Sequence, residues 1–280
     1  MPELPEVETV CRGLAKVLPG HAIRAIKLNR ADMRVPFPPG LARIAKAKVT
    51  AIDRRAKYIL IRLGTDETLI IHLGMSGRLL IHNDDKKYIP QKHDHMILQM
   101  DNGVDVVFND PRRFGLVDLA KTKEVPQHKL FAHLGPEPLE KDFSDKYLAS
   151  KLKSRKVSIK LAIMDQQVVV GVGNIYASES LLASDIDPRR MANTLKPAEI
   201  KKLAVAVKDV LKKAIKAGGS SLRDYVQTDG ELGYFQHHFA VYDKEGQECR
   251  NCICNIKKTG GVQRITQGAR STFYCPVKQV

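Results

Sequence analysis

The chain has 280 residues, 43% of them hydrophobic and 28% charged. That is enough apolar material for two domains with separate cores, and it excludes a disordered tail. An excess of 46 Lys and Arg over 31 Asp and Glu gives a formal charge of +15, which favours a polyanionic partner, nucleic acid first and an anionic membrane surface second.

The chain opens Met1-Pro2-Glu3-Leu4-Pro5-Glu6. Removal of Met1 would leave Pro2 with a free secondary amine. An α-amino group has a pKa of about 7.7–8.0, so a useful fraction is uncharged at neutral pH. A secondary amine attacking a sugar C1′ gives an iminium ion directly, and Glu3 stands beside it for proton transfer. The hexapeptide also reads as a plain helix entry, with Pro5 near N1 and acids in the first turn. The spacing of Val7, Val10, Cys11, Leu14, Val17 and Leu18 predicts a helix over Glu6 to Leu18, stopped by Pro19-Gly20. No apolar run approaches the roughly 20 residues that span a bilayer, and the acidic N-terminus lacks a signal-peptide core. The expectation is a soluble, cytoplasmic protein.

From Gly20 to about Leu119 the hydrophobic period shifts towards two, which predicts a β-sandwich or barrel behind one leading helix. Arg54-Arg55-Ala56-Lys57-Tyr58 reads as strand, with Arg55 and Lys57 on one face. That face is either a solvated edge that blocks aggregation or a set of cations facing a phosphate or a reacting sugar. Two strands flank Gly74-Met75-Ser76-Gly77, a tight loop with Met75 at its tip. His93 and His95 share a strand face; with no third ligand adjacent, they read as a phosphate contact or structural pair. Asp101-Asn102-Gly103 is a hairpin turn. Asn109-Asp110-Pro111-Arg112-Arg113-Phe114-Gly115 is a turn with a core Phe, or else a wedge whose Arg and Phe occupy the space left by an extruded nucleotide.

Leu134-Gly135-Pro136-Glu137-Pro138-Leu139 stops both helix and sheet and predicts a linker. Helices are expected at 142–152, 158–165 and 174–182, and from Pro197 to a Gly218-Gly219 cap. Gly171-Val172-Gly173-Asn174 joins two of them and offers a helix N-terminus to an anion, with Lys156 and Lys160 upstream in reach of the same phosphate. Cys11 reads as buried packing. Cys249, Cys252, Cys254 and Cys275 cluster near the C-terminus and suggest a metal clip more than disulfides. Cys249-x-x-Cys252 is half of a zinc knuckle, but the second half reads Cys275-Pro276-Val277-Lys278, and a lysine ammonium has no lone pair for a metal. Either Cys254 is the fourth ligand, or the site binds weakly or not at all. Arg264, Arg270 and Tyr274 fill a basic hairpin.

These motifs together resemble the bacterial formamidopyrimidine-DNA glycosylases, nearly end to end. The matching stretches are residues 2–9, 54–58, 72–77, 93–95, 110–115, 134–139, 171–176 and 268–275. Leu4 separates the chain from the related endonuclease VIII branch, which starts Pro-Glu-Gly-Pro. The resemblance implies an α+β fold: a catalytic β-sandwich (1–133), a linker (134–140), a helix–two-turns–helix domain (141–240) and a zinc-finger-like β-hairpin (241–280). It implies a monomeric bifunctional enzyme of base-excision repair that removes 8-oxoguanine and formamidopyrimidines from double-stranded DNA and nicks the abasic site. Pro2 would be the nucleophile and Glu3 the acid/base, with Lys57 serving β-elimination and Arg270 δ-elimination. DNA contacts would come from His93, Arg112, Lys156, Lys160 and Asn174, while Met75, Arg112 and Phe114 fill the gap after base flipping. One structural zinc ion is implied, and a loop near Gln227 to Gln236 would grip the flipped base. The alternative is a non-catalytic damaged-DNA-binding protein on the same scaffold.

Overall fold

The computed structural model describes residues 1–83, 88–221, 228, 233–250, 252 and 254–280. The chain divides into two compact units, Met1–His133 with Ala217–Tyr234, and Leu134–Lys216 with Phe235–Val280. The stretch 217–234, which the sequence reading assigned to the helical module, thus clusters with the N-terminal unit. Its ties there are specific. Ser220 donates its N–H to Glu6 Oε1 at 2.8 Å, and Ile81 donates to the Thr228 carbonyl at 2.7 Å.

The first unit begins with α1 (Leu4–Leu14), whose N-cap is Glu3 and whose first turn contains Pro5. A capping box closes it: Glu6 Oε2 accepts the Glu3 N–H at 2.8 Å. The helix ends four residues before the expected Leu18. Lys16 and Val17 donate to carbonyls three residues back, so the chain tightens into turns. Leu18 is still fully buried; an apolar period alone does not tell an α-turn from a tighter one.

Two four-stranded antiparallel sheets follow. One has the order β1 (Ile23–Leu28), β6 (Asp94–Met100), β7 (Asp105–Asn109), β5 (Arg78–His82). The other runs β2 (Val49–Arg55), β3 (Tyr58–Leu63), β4 (Glu67–His72), β8 (Leu116–Lys121). Alternate residues of both, among them Ile59, Ile61, Leu69, Ile71, Met96, Leu98, Val106 and Phe108, join Val7, Val10 and Leu14 of α1 in one core. The chain passes from one sheet to the other through residues 73–77 and again through 110–115.

Arg54 to Tyr58 is not a single strand. Arg55 pairs with Tyr58, and Ala56-Lys57 is the two-residue turn between β2 and β3. Ala56 takes φ +54°, a left-handed conformation normally supplied by Gly or Asn. The usual letters for a hairpin turn are missing, so the segment reads as strand. On β3 and β4, Tyr58 faces His72 with ring centroids 4.7 Å apart, and Phe131 meets Tyr58 edge-on at 5.1 Å. Burial, then the positive charges of Lys57 and Arg34, hold the His72 imidazole down to about 4.

The second unit is helical. It contains α2 (Asp145–Leu152), α3 (Ile159–Met164), α4 (Asn174–Ala183) and α5 (Pro197–Lys216). Ser144 caps α2 by accepting the Tyr147 N–H at 3.1 Å. Leu203, Val207 and Leu211 line the buried face of α5, which packs on α2 and α4. A short α6 (Ile256–Thr259) precedes the hairpin β9 (Gln263–Gln267) and β10 (Arg270–Tyr274). Among the described residues, no helix is long and apolar enough to cross a membrane.

Two outcomes are expected. Glu6→Ala takes a carboxylate acceptor from two buried N–H groups and should lower unfolding free energy by about 2–4 kcal/mol, seen as a lower guanidinium midpoint at unchanged slope. The depressed pKa of His72 means that the unfolded chain binds a proton first as pH falls. Its contribution is therefore intact above about pH 6.5 and is lost towards pH 4, by about 3 kcal/mol. His72→Gln should flatten the stability profile in that window.

Candidate active site and nucleic-acid interface

The first turn of α1 holds the chain start inside the first unit. Pro2 is buried, Glu3 is 3% exposed and Met1 is exposed. Lys57, at 7% exposure, is buried although it sits in a hairpin turn. A chain of contacts sets that turn. Arg54 donates from Nε to Glu8 Oε2 at 2.9 Å, and from Nη1 to the Ala56 carbonyl at 3.0 Å. Burial pushes the Glu8 carboxyl up, but hydrogen bonds from Arg54 and Arg12 outweigh it and hold the group below its ordinary value. Arg54 is therefore a brace between α1 and the Lys57 turn.

The two passages between the sheets meet. Gly74 has φ +66°, and a Cβ there would lie 2.4 Å from the Phe114 carbonyl carbon, so the backbones are in direct contact. Met75 and Phe114 remain 38% and 43% exposed. The Arg112 guanidinium lies 4.9 Å from the Phe114 ring centroid. Beneath them is Asp110, fully buried. Its Oδ1 accepts the Ser76 hydroxyl at 2.5 Å and the Arg112 N–H at 3.3 Å, and its Oδ2 accepts the Gly115 N–H at 2.8 Å. His93 is half-buried just ahead of β6, and its carbonyl accepts the Asp110 N–H at 2.9 Å. His95 is buried and pairs through Nε2 with the Asp110 carbonyl at 2.8 Å. The two histidines thus support the 110–115 turn.

In the second unit, Gly173 is the N-cap of α4 and Asn174 its first residue. Gln166 braces the preceding loop: Oε1 accepts the Gly171 N–H, and Nε2 donates to the Val172 carbonyl. Lys160 is fully buried. Its Nζ donates to Asn174 Oδ1 at 2.6 Å, Thr272 Oγ1 at 2.6 Å and the Ser271 carbonyl at 3.0 Å. Expected from sequence to reach a phosphate, this ammonium is instead an internal strut between α3, α4 and β10. Asn174 Nδ2 donates to the same Ser271 carbonyl at 2.9 Å. Lys156 is exposed between α2 and α3. Arg270 is exposed at the start of β10, beside a Gly268-Ala269 turn whose φ values are +54° and +58°. Of the loop expected to grip a base, residues 227 and 229–232 lie outside the described residues; Gln236 is in a 3-10 turn, Phe235–His238.

The four C-terminal cysteines converge. Their sulfur atoms all lie within 4.8 Å of one another, with Cys249 3.2 Å from Cys275 and 3.4 Å from Cys254, and Cys252 3.5 Å from Cys275. Thiolates about 2.3 Å from a tetrahedral centre stand about 3.8 Å apart, so the set fits one metal ion. Cys254 completes the four. Lys278 donates its N–H to Cys275 Sγ at 3.3 Å, and its Nζ turns to Asp185 Oδ1 at 3.5 Å.

Sequence reasoning missed the carboxylates that hold these groups, namely Glu6, Glu8 and Asp110. Glu6 carried a readable signal, its spacing of three from Glu3. Each of the other two also has a local partner, but the ones that reach another element, Arg54 for Glu8 and Ser76 for Asp110, lie 46 and 34 residues away in sequence, beyond any local pattern.

Two family models match the chain: the formamidopyrimidine-DNA glycosylase N-terminal domain over residues 1–117, and the H2TH domain of the same proteins over 134–226. The chain is 50% identical over 282 residues to the formamidopyrimidine-DNA glycosylase of Ruegeria pomeroyi, covering 98% of each chain. It is 46% identical to that of Rhodospirillum rubrum over the whole of both. Among solved structures it is similar to Lactococcus lactis Fpg in complex with DNA containing an abasic site, at a TM-score of 0.89, 34% identity and 99% coverage of each chain. The Fpg protein of Thermus thermophilus gives a TM-score of 0.87 at 34% identity, covering 99% of this chain and 98% of that one. Domain models that together take in most of the chain, and relatives matched from end to end, place this protein in the formamidopyrimidine-DNA glycosylase family.

Proposed function

We propose that this chain is a DNA glycosylase and AP lyase that excises oxidised purines from duplex DNA and nicks the resulting abasic site. The observation that carries the reading is a chain start held inside the fold. Pro2 and Glu3 are buried at the head of α1, and Glu6 fixes the Glu3 main chain. Ordinary termini fray, whereas a terminal nucleophile has to be held against its target.

After Met1 is removed, the Pro2 nitrogen attacks C1′ of the damaged nucleotide. The C1′–N bond forms, the glycosidic bond breaks and the base leaves with its electron pair and a proton. Opening of the sugar ring gives an iminium between Pro2 and C1′, with Glu3 moving the proton at the ring oxygen. The iminium acidifies C2′, and loss of that proton expels the 3′-phosphate; Lys57, in its braced turn, serves this β-elimination. Arg270 on the hairpin serves the second, δ-elimination. Met75, Arg112 and Phe114 fill the space of the extruded nucleotide. His93, Lys156 and Asn174 contact the DNA backbone, and Lys160 contributes by fixing Asn174. The four cysteines would hold a structural zinc ion, which would tie Cys249, Cys252 and Cys254 to Cys275 just after β10. The working compartment is the bacterial cytoplasm, at the nucleoid.

Borohydride should trap a covalent adduct on duplex DNA containing 8-oxoguanine, and acetylating the mature N-terminus should abolish trapping while sparing DNA binding. Binding without trapping in the unmodified protein would instead establish the non-catalytic alternative. For the metal, purified protein should contain about one zinc per chain. Cys254→Ser should lower that content and the stability of the C-terminal segment, measured by proteolysis; full occupancy in this variant would remove Cys254 from the ligand set.

A further inference from the structure

We infer that Ser76 and Asp110 are positioning residues that pre-form the DNA-inserting tip before DNA arrives. The inference rests on the wedge reading of Met75, Arg112 and Phe114 given above and adds what holds those three in register. They come from two loops that are far apart in sequence, each a passage between the two sheets. Strand pairing sets the two passages side by side at their ends, His72 opposite Leu116 and Arg78 opposite Asn109. Between those ends the Asp110 carboxylate ties them. Oδ1 takes the Ser76 hydroxyl, next to Met75, and also the Arg112 N–H, while Oδ2 takes the Gly115 N–H that closes the turn after Phe114. The Ser76 oxygen in turn accepts the Arg112 N–H at 3.2 Å. One buried side chain thus spans both ends of one loop and crosses to the other.

The geometry is demanding. Arg113 has φ +57°, a conformation that a side-chain-bearing residue rarely adopts, and it lies between the two N–H groups that Asp110 accepts. The contact between Gly74 and the Phe114 main chain leaves no room for a Cβ. Phe108 packs under Gly77 and Gly115, closing the base of the pair. Exposed side chains therefore stand on main chain that is pinned from below. A tip ordered in advance does not spend binding energy on ordering itself when it enters the base stack. A displacement of the backbone by a fraction of an ångström would be felt at the reacting sugar.

The test compares two duplexes: one with 8-oxoguanine opposite cytosine, and one in which the opposite nucleotide is missing, so that no partner base needs support. Ser76→Ala should slow base extrusion on the intact duplex, followed by stopped-flow fluorescence of a neighbouring 2-aminopurine, on the order of tenfold. It should lower kcat more than it raises KM, and leave single-turnover excision from the gapped duplex near the wild-type rate. Asp110→Asn, which keeps the shape of the side chain, should act in the same direction and serves if the first variant folds poorly. Equal loss on both duplexes would make the pair merely structural and overturn the inference. Met75→Ala and Phe114→Ala are run alongside. If neither changes extrusion, the wedge reading fails. If both slow it while Ser76→Ala and Asp110→Asn do not, the wedge stands and the positioning role falls.

Discussion

A buried carboxylate accepting main-chain N–H groups is the interaction on which this structure turns. Glu6 takes the N–H of Glu3 on one oxygen and that of Ser220 on the other. Without it, the first residues would lose a buried acceptor, and an apolar helix face fixes a helix more firmly than it fixes the residues ahead of it. With it, the chain start is tied both to its own helix and to a segment more than two hundred residues later in sequence.

The same device recurs. Asp110 collects N–H groups from the 110–115 turn, and Glu179 accepts those of Ala240, Val241 and Tyr242. Burial pushes the Glu179 carboxyl above its ordinary value despite these three donors. Asp94 accepts the Tyr88 hydroxyl, the Gln91 N–H and the Asn109 amide. A protein with a formal charge of +15 has thus taken several of its acids inside as structural acceptors. The cations left outside, among them Lys156, Arg112 and Arg270, face solvent with fewer neutralising neighbours, which suits binding to a polyanion. Lys160 is the counter-example, a cation drawn inside and matched by oxygen acceptors.

Much of this was legible in the sequence, for physical reasons. The two-residue period from β3 to β8, the Asn102-Gly103 turn and the Pro197 start of α5 are local signals, and each element formed near its expected place. The motifs carrying the family resemblance marked the groups at the chain start, the inter-sheet turns and the hairpin. The lost information was of two kinds. Ala56 adopts a glycine-like φ without being glycine, so its turn looked like strand. Lys160 looked like a surface cation because its acceptors Ser271 and Thr272 lie more than a hundred residues away. The cysteine cluster was half readable. The spacing named the candidates, but only their convergence around Cys275 shows that Cys254 stands with them while Lys278 turns to Asp185.

The return of residues 217–234 to the N-terminal unit has a consequence for how the protein is made. When the ribosome has completed His133, every strand of both four-stranded sheets exists, yet the donor to Glu6 Oε1 and the carbonyl that receives the Ile81 N–H do not. They emerge roughly a hundred residues later, about 5–20 s at bacterial rates. Through that interval the sandwich must persist with its chain start only partly tied. Vectorial synthesis therefore orders the assembly of this unit: the sheets form first, and the ties from Ser220 and Thr228 close only after the intervening helices have emerged.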